Sequence, residues 1–397
     1  MKHRSLIVIL AALSMLGALC IDAYLPSLPA IAAQFSVSVA AVQQTLTLYL
    51  FGFAFMMLFY GILSDSFGRR PVILGSMLLY VASSVGAVFA PGLGWLLFFR
   101  LLQGLSAGAG SVVGRAVVGD CFQGAEAQRI LSYISMVFGI APAVAPILGG
   151  WLQAAFGWRS VFGFIALFGI VLLGACLRGL PESLPRELRH PFHFRVIVRN
   201  YWQVARHLRF LLQSGAIALS FAGIMFYVGG APSFVMTVLH LPVTAFGWLF
   251  VPLIGGMTLG SFAAGWASHR WAPRVTIGLG FVVMTVGAAA DLIYAMGWTV
   301  RIPWVVLPLF VYAFGVSLAT PAMTVETLEL FPTVRGLAAS LQGFTFMILF
   351  AIGSGVVCPF LFGSARRFAL AVVIGLVASA ACWIAGRKLR AETCISH

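Results

Sequence analysis

PESLPRELRHPFHFRVIVRNYWQVARHLRF, Pro181 to Phe210, is the one long polar segment of the chain. On each side of it lie apolar stretches of about 20 residues, the length that crosses the hydrocarbon of a bilayer. Upstream they fall at about 5 to 28, 40 to 63, 72 to 91, 94 to 118, 128 to 151 and 158 to 180. Downstream they fall at about 210 to 236, 244 to 267, 274 to 297, 303 to 327, 336 to 361 and 367 to 387. The polar stretch thus separates two sets of six.

Composition supports the count. The 397 residues are 61% hydrophobic and 9% charged, against about 45–50% and about 25% in soluble domains, and the mean hydropathy is +1.03. No water-soluble core can hold that excess, so an integral membrane protein is expected and a single anchor on a soluble domain is excluded. The fold class predicted is all-α, with twelve transmembrane helices in two pseudo-symmetric bundles: 1–180, a linker at 181–209, and 210–397. Lys2 and Arg4 ahead of the apolar run Ser5–Cys20 imitate a secretory signal. Leu19 is too large for lipoprotein processing at Cys20, and the apolar run continues to Pro29, so it reads as a retained first span.

The net charge is +14, which in a soluble chain would suggest nucleic acid. Its distribution says otherwise. With the N-terminus inside, the inner segments hold Lys2, Arg4, Arg69, Arg70, Arg129, seven arginines at and within the central loop, Arg270, Arg274, Arg335, Arg387, Lys388 and Arg390. The outer loops hold Arg159, Arg301, Arg366 and Arg367, and Arg100 and Arg115 belong to the fourth span. A bias of 18 to 4 predicts a cytoplasmic-membrane protein with both termini inside. The six cysteines form no CxxC pair, so neither a disulfide framework nor a metal site is expected.

GILSDSFGRR (Gly61–Arg70) is echoed by GWASHRWAPR (Gly265–Arg274) at an offset of 204, and LPS (Leu25–Ser27) by APS (Ala231–Ser233) at 206. Both offsets are near half the chain, as in the parallel repeats of transporters.

A charge at the centre of a membrane helix costs about 2.5–3.5 kcal/mol on insertion scales, so such residues are functional candidates. Asp22 in the first span and Arg100 in the antiparallel fourth lie at similar depth, and either share a cavity or pair. Gln103 stands one turn beyond Arg100. Asp291, roughly 17 residues into the ninth span at about 1.5 Å per residue, comes close to the outer interface, where snorkelling to water is expected. Glu326 and Glu329 near the inner end of the tenth span read as a solvated face or as partners of Arg335. All seven histidines lie in loops, at span ends or at termini, so membrane-buried proton handling falls to carboxylates.

Glycine and proline add a further pattern. In the fourth span Gly104 and Gly108, and Gly110 and Gly114, are spaced for close helix packing. The fifth reads GIAPAVAPILGGW, in which Pro142 and Pro146 remove backbone donors and bend the helix. Gly149 and Gly150 let a neighbour approach there. The second half has no matching proline pair near 344 to 356.

Four segments resemble the major facilitator superfamily, in particular its twelve-span drug:proton antiporters and their bicyclomycin-resistance (Bcr/CflA) branch. GILSDSFGRRPV (Gly61–Val72) is similar to the signature of the loop between the second and third spans, and RLLQGLSAG (Arg100–Gly108) to that of the fourth span. APAVAPILGG (Ala141–Gly150) resembles the fifth-span antiporter signature, with Ala145 where many members have glycine, and IDAYLPSLP (Ile21–Pro29) the hallmark of the branch. The resemblance implies that Asp22 takes part in proton coupling or substrate recognition, and that Arg100, with Gln103, is linked to proton transfer. Asp65, Gly68, Arg69 and Asp120 would form a cytoplasmic gate network holding the halves together. Pro142, Pro146, Gly149 and Gly150 would shape the helix bend that favours antiport. His269 stands where a second-half gate acid would be, so a one-sided lock is expected. Asp22, with only uncharged Ser14 two turns inward, makes one-proton exchange the simplest stoichiometry.

The function expected is proton-coupled efflux of small molecules by alternating access. Tyr24, Tyr49, Phe53, Met56, Phe226 and Tyr227 are candidates for an adaptable cavity wall and equally for ordinary packing. The partners expected are a drug-like or metabolite substrate, protons and the bilayer, with no nucleic acid, no metal, no cofactor beyond the proton gradient, and a monomeric state. A dedicated carrier of one metabolite class is the alternative. An enzyme would need a clustered intramembrane constellation or a GxSxG motif, which the sequence lacks, and a channel would usually show a pore loop or polar rings.

Overall fold

The computed structural model describes residues 2–189 and 194–395. His190, His193 and His397, three of the histidines noted above, lie outside the described residues. Among the described residues every regular element is helical and no strand forms. In hydrocarbon each backbone N–H and C=O must be paired within the protein, which a helix achieves alone.

Eleven helices are long and apolar enough to cross a membrane, and a bent pair supplies a twelfth crossing. In the first half these are Arg4–Phe35, Val39–Met57, Arg69–Val88, Leu93–Cys121, Gly124–Phe156 and Trp158–Gly179. In the second half the seventh is the pair Leu208–Ser220 and Ala222–Gly229, bent by 47°. The eighth to twelfth are Val243–Ser268, Pro273–Gly297, Leu307–Leu328, Arg335–Leu361 and Ala365–Leu389. The chain clusters into two compact units, Met1–His193 and Phe194–His397.

The first span is longer than its apolar run suggests, because its prolines re-start the helix. A helix over Lys2–Asp22 gives way to a 3-10 turn at Leu25–Ser27, and a second helix runs over Leu28–Phe35. Pro29 sits in the first turn of that second helix, where its missing N–H would be unpaired in any case. Asp22 is therefore the last helical residue before a break.

The glycines of the fourth and fifth spans set close approaches. A Cβ on Gly104 would run into the backbone of Tyr49, and one on Gly110 into that of Leu13. Gly149 packs against the carbonyl of Ala23 inside the first-span break. The fifth span stays a single helix of 33 residues through Pro142 and Pro146. The second unit repeats the device: Gly52 lies on Leu101 in the second and fourth spans, and Gly256 on Phe310 in the eighth and tenth. Gly52 and Gly256 share the offset of 204 seen in the loop motif.

The seventh span bends at Phe221, and the carbonyl of Ser220 accepts a 2.8 Å hydrogen bond from the Tyr312 hydroxyl of the tenth span. A neighbouring helix thus satisfies the backbone group at the bend. The central segment contains a short helix, Phe194–Ala205, that buries Ile197 and Val204 and exposes Val198 and Trp202.

Candidate functional site

Arg100 is fully buried in the fourth span. Its guanidinium carbon lies 4.1 Å from the ring centroid of Tyr24 and 4.4 Å from that of Tyr49, so two aromatic faces clasp it. Nη1 donates to Oε1 of Gln103 at 2.8 Å and to Sγ of Cys20 at 3.2 Å. Gln103 in turn donates to Ser84 Oγ at 2.9 Å, and Ser84 to the Tyr80 carbonyl at 2.6 Å, which fastens the cluster to the third span. Tyr24 shares a 3.2 Å hydrogen bond with Thr45, and Tyr49 donates to the Gly17 carbonyl at 3.1 Å. A desolvated cation–π contact contributes about 2 kcal/mol, so two of them match the insertion cost of about 2.5–3.5 kcal/mol for a central charge. No carboxylate is needed to bury this cation. Among the described residues its Nε and Nη2 have no hydrogen-bond partner.

Asp22 is buried at 4% exposure, two residues before Tyr24. Of the two arrangements open from the sequence, a pair is not what forms: among the described residues no ion pair or hydrogen bond joins Asp22 to Arg100. The 3-10 turn after Asp22 points Tyr24 at the guanidinium instead. Ser14 is buried and bonds back to its own helix, to the Ala11 carbonyl at 2.7 Å.

Asp65, Arg69 and Asp120 come together with Gly68. Nη1 of Arg69 bonds Asp65 and, at 2.7 Å, Ser64 Oγ, while Nε donates to Asp120 Oδ2 at 3.1 Å. Three residues absent from the sequence reading complete the network. Glu182 accepts from the Arg69 backbone N–H at 3.0 Å and pairs with Arg189 at 3.3 Å, and Ser183 donates to Asp120 at 2.7 Å. Gly68 has φ of +100°, and a Cβ there would collide with both Glu182 and Arg189. All of these residues belong to the first unit. The only signal for Glu182 and Arg189 in the sequence is their place just past the sixth span, where loop charges meet the span ends.

Asp291 corrects an expectation. It does not snorkel: it is 1% exposed, and its Oδ2 accepts a 2.9 Å hydrogen bond from the buried hydroxyl of Tyr227 in the seventh span. Depth along a helix says nothing about direction around it, and this side chain faces its neighbours. Tyr227 is held by Phe234 at 4.8 Å and Phe368 at 5.2 Å between ring centroids. Of the two settings expected for Glu326 and Glu329, the pairing with Arg335 does not form among the described residues; Glu329 is exposed, and Glu326 is half-buried with its Oε1 unpartnered among the described residues.

Of the aromatic candidates, Tyr24 and Tyr49 flank Arg100 and Tyr227 holds Asp291, while Phe53 packs against Gly17 and Phe226 against Gly353. Pro142 and Pro146 remain inside a continuous helix. Among the described residues no group of three or more His, Cys, Asp and Glu is placed to hold a metal ion.

Eleven helices and a bent pair able to cross a membrane, in two units, with a buried guanidinium in the fourth span and an arginine network after the second, define a multi-pass membrane protein. A family model described as Major Facilitator Superfamily matches residues 8–354. The bicyclomycin resistance protein homolog of Haemophilus influenzae is 30% identical over 356 residues, covering 88% of this chain and 86% of that one. The multidrug transporter MdfA of Yersinia pestis is 27% identical over 355 residues, covering 88% and 85%. Among solved structures, a bacterial homolog to the human lysosomal transporter Spinster, inward-facing and occupied, superposes with a TM-score of 0.76 at 17% identity over 98% of this chain and 97% of that one. The chain belongs to the Major Facilitator Superfamily, with relatives in the bicyclomycin-resistance branch to which IDAYLPSLP pointed.

Proposed function

We propose that the protein is a proton-driven exporter of small, drug-like molecules that works by alternating access between two six-helix bundles, 1–180 and 210–397, joined by the linker 181–209. The observation that carries this reading is the site in the first unit. A buried guanidinium, held by aromatic faces, stands on the fourth span, and a buried Asp22, in no ion pair among the described residues, sits at the break of the first. A carboxyl free of a permanent salt bridge can exchange a proton for a substrate. Arg100 supplies the fixed charge that makes that exchange matter electrostatically, and Gln103 holds it in register. The relatives named for bicyclomycin resistance and multidrug transport support export over uptake.

In this reading the Asp65–Arg69–Asp120 network, with Gly68, is a gate made and broken during the cycle, and the helix carrying Pro142, Pro146, Gly149 and Gly150 adapts to it. The proton gradient is the energy source, so no cofactor, catalytic constellation or nucleic acid is involved. The protein works as a monomer in the cytoplasmic membrane with both termini inside, the orientation that the arginine distribution favours.

Proteoliposomes loaded with a pH-sensitive dye test this with lipophilic cations, neutral antibiotics and nucleosides. Proton movement triggered by several unrelated compounds supports the exporter. A response confined to one metabolite class replaces it with a dedicated carrier on the same scaffold, and stepwise single-channel conductance overturns it.

A further inference from the structure

The second unit contains a cavity of about 620 Å³ at the junction of the eighth, ninth and tenth spans, within the range of small-molecule sites. Ala264 and Thr276 form a buried floor, Trp271 and Arg274 stand at an exposed rim, and Glu326 and Glu329 line one wall. Glu326 is half-buried, and its Oε1 is buried with no hydrogen bond among the described residues. A buried carboxylate oxygen left unsatisfied costs about 1–3 kcal/mol or more, which a structure retains only where something else completes it.

The internal repeat shows what is missing. In the first unit the junction of the second, third and fourth spans is closed by Arg69, the first residue of its helix, whose guanidinium joins Ser64 and Asp65 to Asp120. In the aligned motif Ser64 corresponds to Ser268, Asp65 to His269 and Arg69 to Pro273. Ser268 and Pro273 both line the cavity, and Pro273 likewise opens its helix. Glu326 and Glu329 occupy the end of the tenth span where the fourth carries Asp120. The second unit keeps carboxylates at the end of its tenth span, but a proline stands at the Arg69 position and a histidine at that of Asp65. Arg274 lines the same cavity, yet among the described residues it makes no ion pair with either carboxylate.

We propose that this cavity binds a guanidinium or primary ammonium group carried on an apolar stem. The cation donates to Glu326 and Glu329, the stem lies along Ala264 and Val325, and the rim indole of Trp271 offers a cation–π face. Bound there, the ligand ties the ends of three spans together as Arg69 does in the first unit. The site is separate from Asp22 and Arg100, and its test does not depend on whether the protein exchanges protons.

The full-length protein is reconstituted in nanodiscs of phosphatidylcholine and phosphatidylglycerol and titrated with octylguanidinium, while hydrogen–deuterium exchange is followed in peptides covering 264–276 and 318–329. Saturating probe should slow exchange severalfold in both peptides. The protection should vanish in Glu326→Gln and in Pro273→Arg, where an arginine fills the slot, and persist in Pro273→Ala, which removes the proline alone. Absence of protection in the wild type, or equal protection in all three variants, overturns the proposal. Replacing phosphatidylcholine by phosphatidylethanolamine without probe separates the sources: protection there identifies a lipid headgroup, and protection by octylguanidinium alone identifies a soluble amphiphilic cation.

Discussion

If two aromatic faces replace a counter-ion at Arg100, removing one should cost more when the cation is present than when it is absent. Tyr24→Leu tests this, in the wild type and in Arg100→Met. The Tyr24 ring lies 4.1 Å from the guanidinium carbon, a desolvated contact of about 2 kcal/mol. Its hydroxyl also loses the bond to Thr45, about 1 kcal/mol, and the smaller side chain leaves unfilled volume costing about another 1 kcal/mol. The change should therefore cost roughly 4 kcal/mol in the wild type and roughly 2 kcal/mol in Arg100→Met, where only the last two losses remain. The difference of about 2 kcal/mol, roughly thirtyfold in the unfolding equilibrium, is the coupling energy of the double-mutant cycle. Unfolding of the purified protein by SDS in mixed micelles, followed by circular dichroism, measures all four corners. A coupling below about 0.5 kcal/mol, the usual scatter for independent sites, would refute the argument that Tyr24 balances the buried charge.

Other positions give sharp outcomes. Gly68→Ala places a side chain at a φ of +100° and against Glu182 and Arg189, so stability should fall by about 1–3 kcal/mol; an unchanged melting temperature would contradict the assigned crowding. Gly149→Ala drives a methyl into the Ala23 carbonyl beside Asp22, an overpacking of about 1–3 kcal/mol. It should slow transport while size-exclusion profiles still show folded protein, and full-rate transport would count against the close approach. Tyr227→Phe strips Asp291 of its hydrogen bond and should cost about 1–3 kcal/mol. Asp291→Asn keeps an acceptor for the Tyr227 hydroxyl and should cost less, so thermal unfolding in the reverse order would remove the pair from the account.

The sequence and the structure agree where the physics is one-dimensional. Hydrophobic length marks the crossings, and the resemblance of Gly61–Val72 to a family loop signature names Asp65, Gly68 and Arg69 with Asp120, which the structure brings into contact. The two disagree where direction around a helix decides. Asp291, expected to reach out to water, turns inward to Tyr227. Tyr24 and Tyr49, indistinguishable in an apolar run from packing residues, turn out to hold Arg100. The extension of the first span to Phe35 follows from Pro29 opening a new helix rather than ending the old one. The bend at Phe221 has no proline or glycine at the break itself, because the tenth-span Tyr312 stabilises it from outside the segment.

The central claim is that Asp22 exchanges a proton for the substrate, and proteoliposomes carrying wild type or Asp22→Asn, loaded with a pH-sensitive dye and challenged with a transported compound, test it most directly. The account predicts that the variant inserts and folds like the wild type but moves no protons when the compound is added. Proton-coupled exchange at the wild-type rate in Asp22→Asn would contradict it.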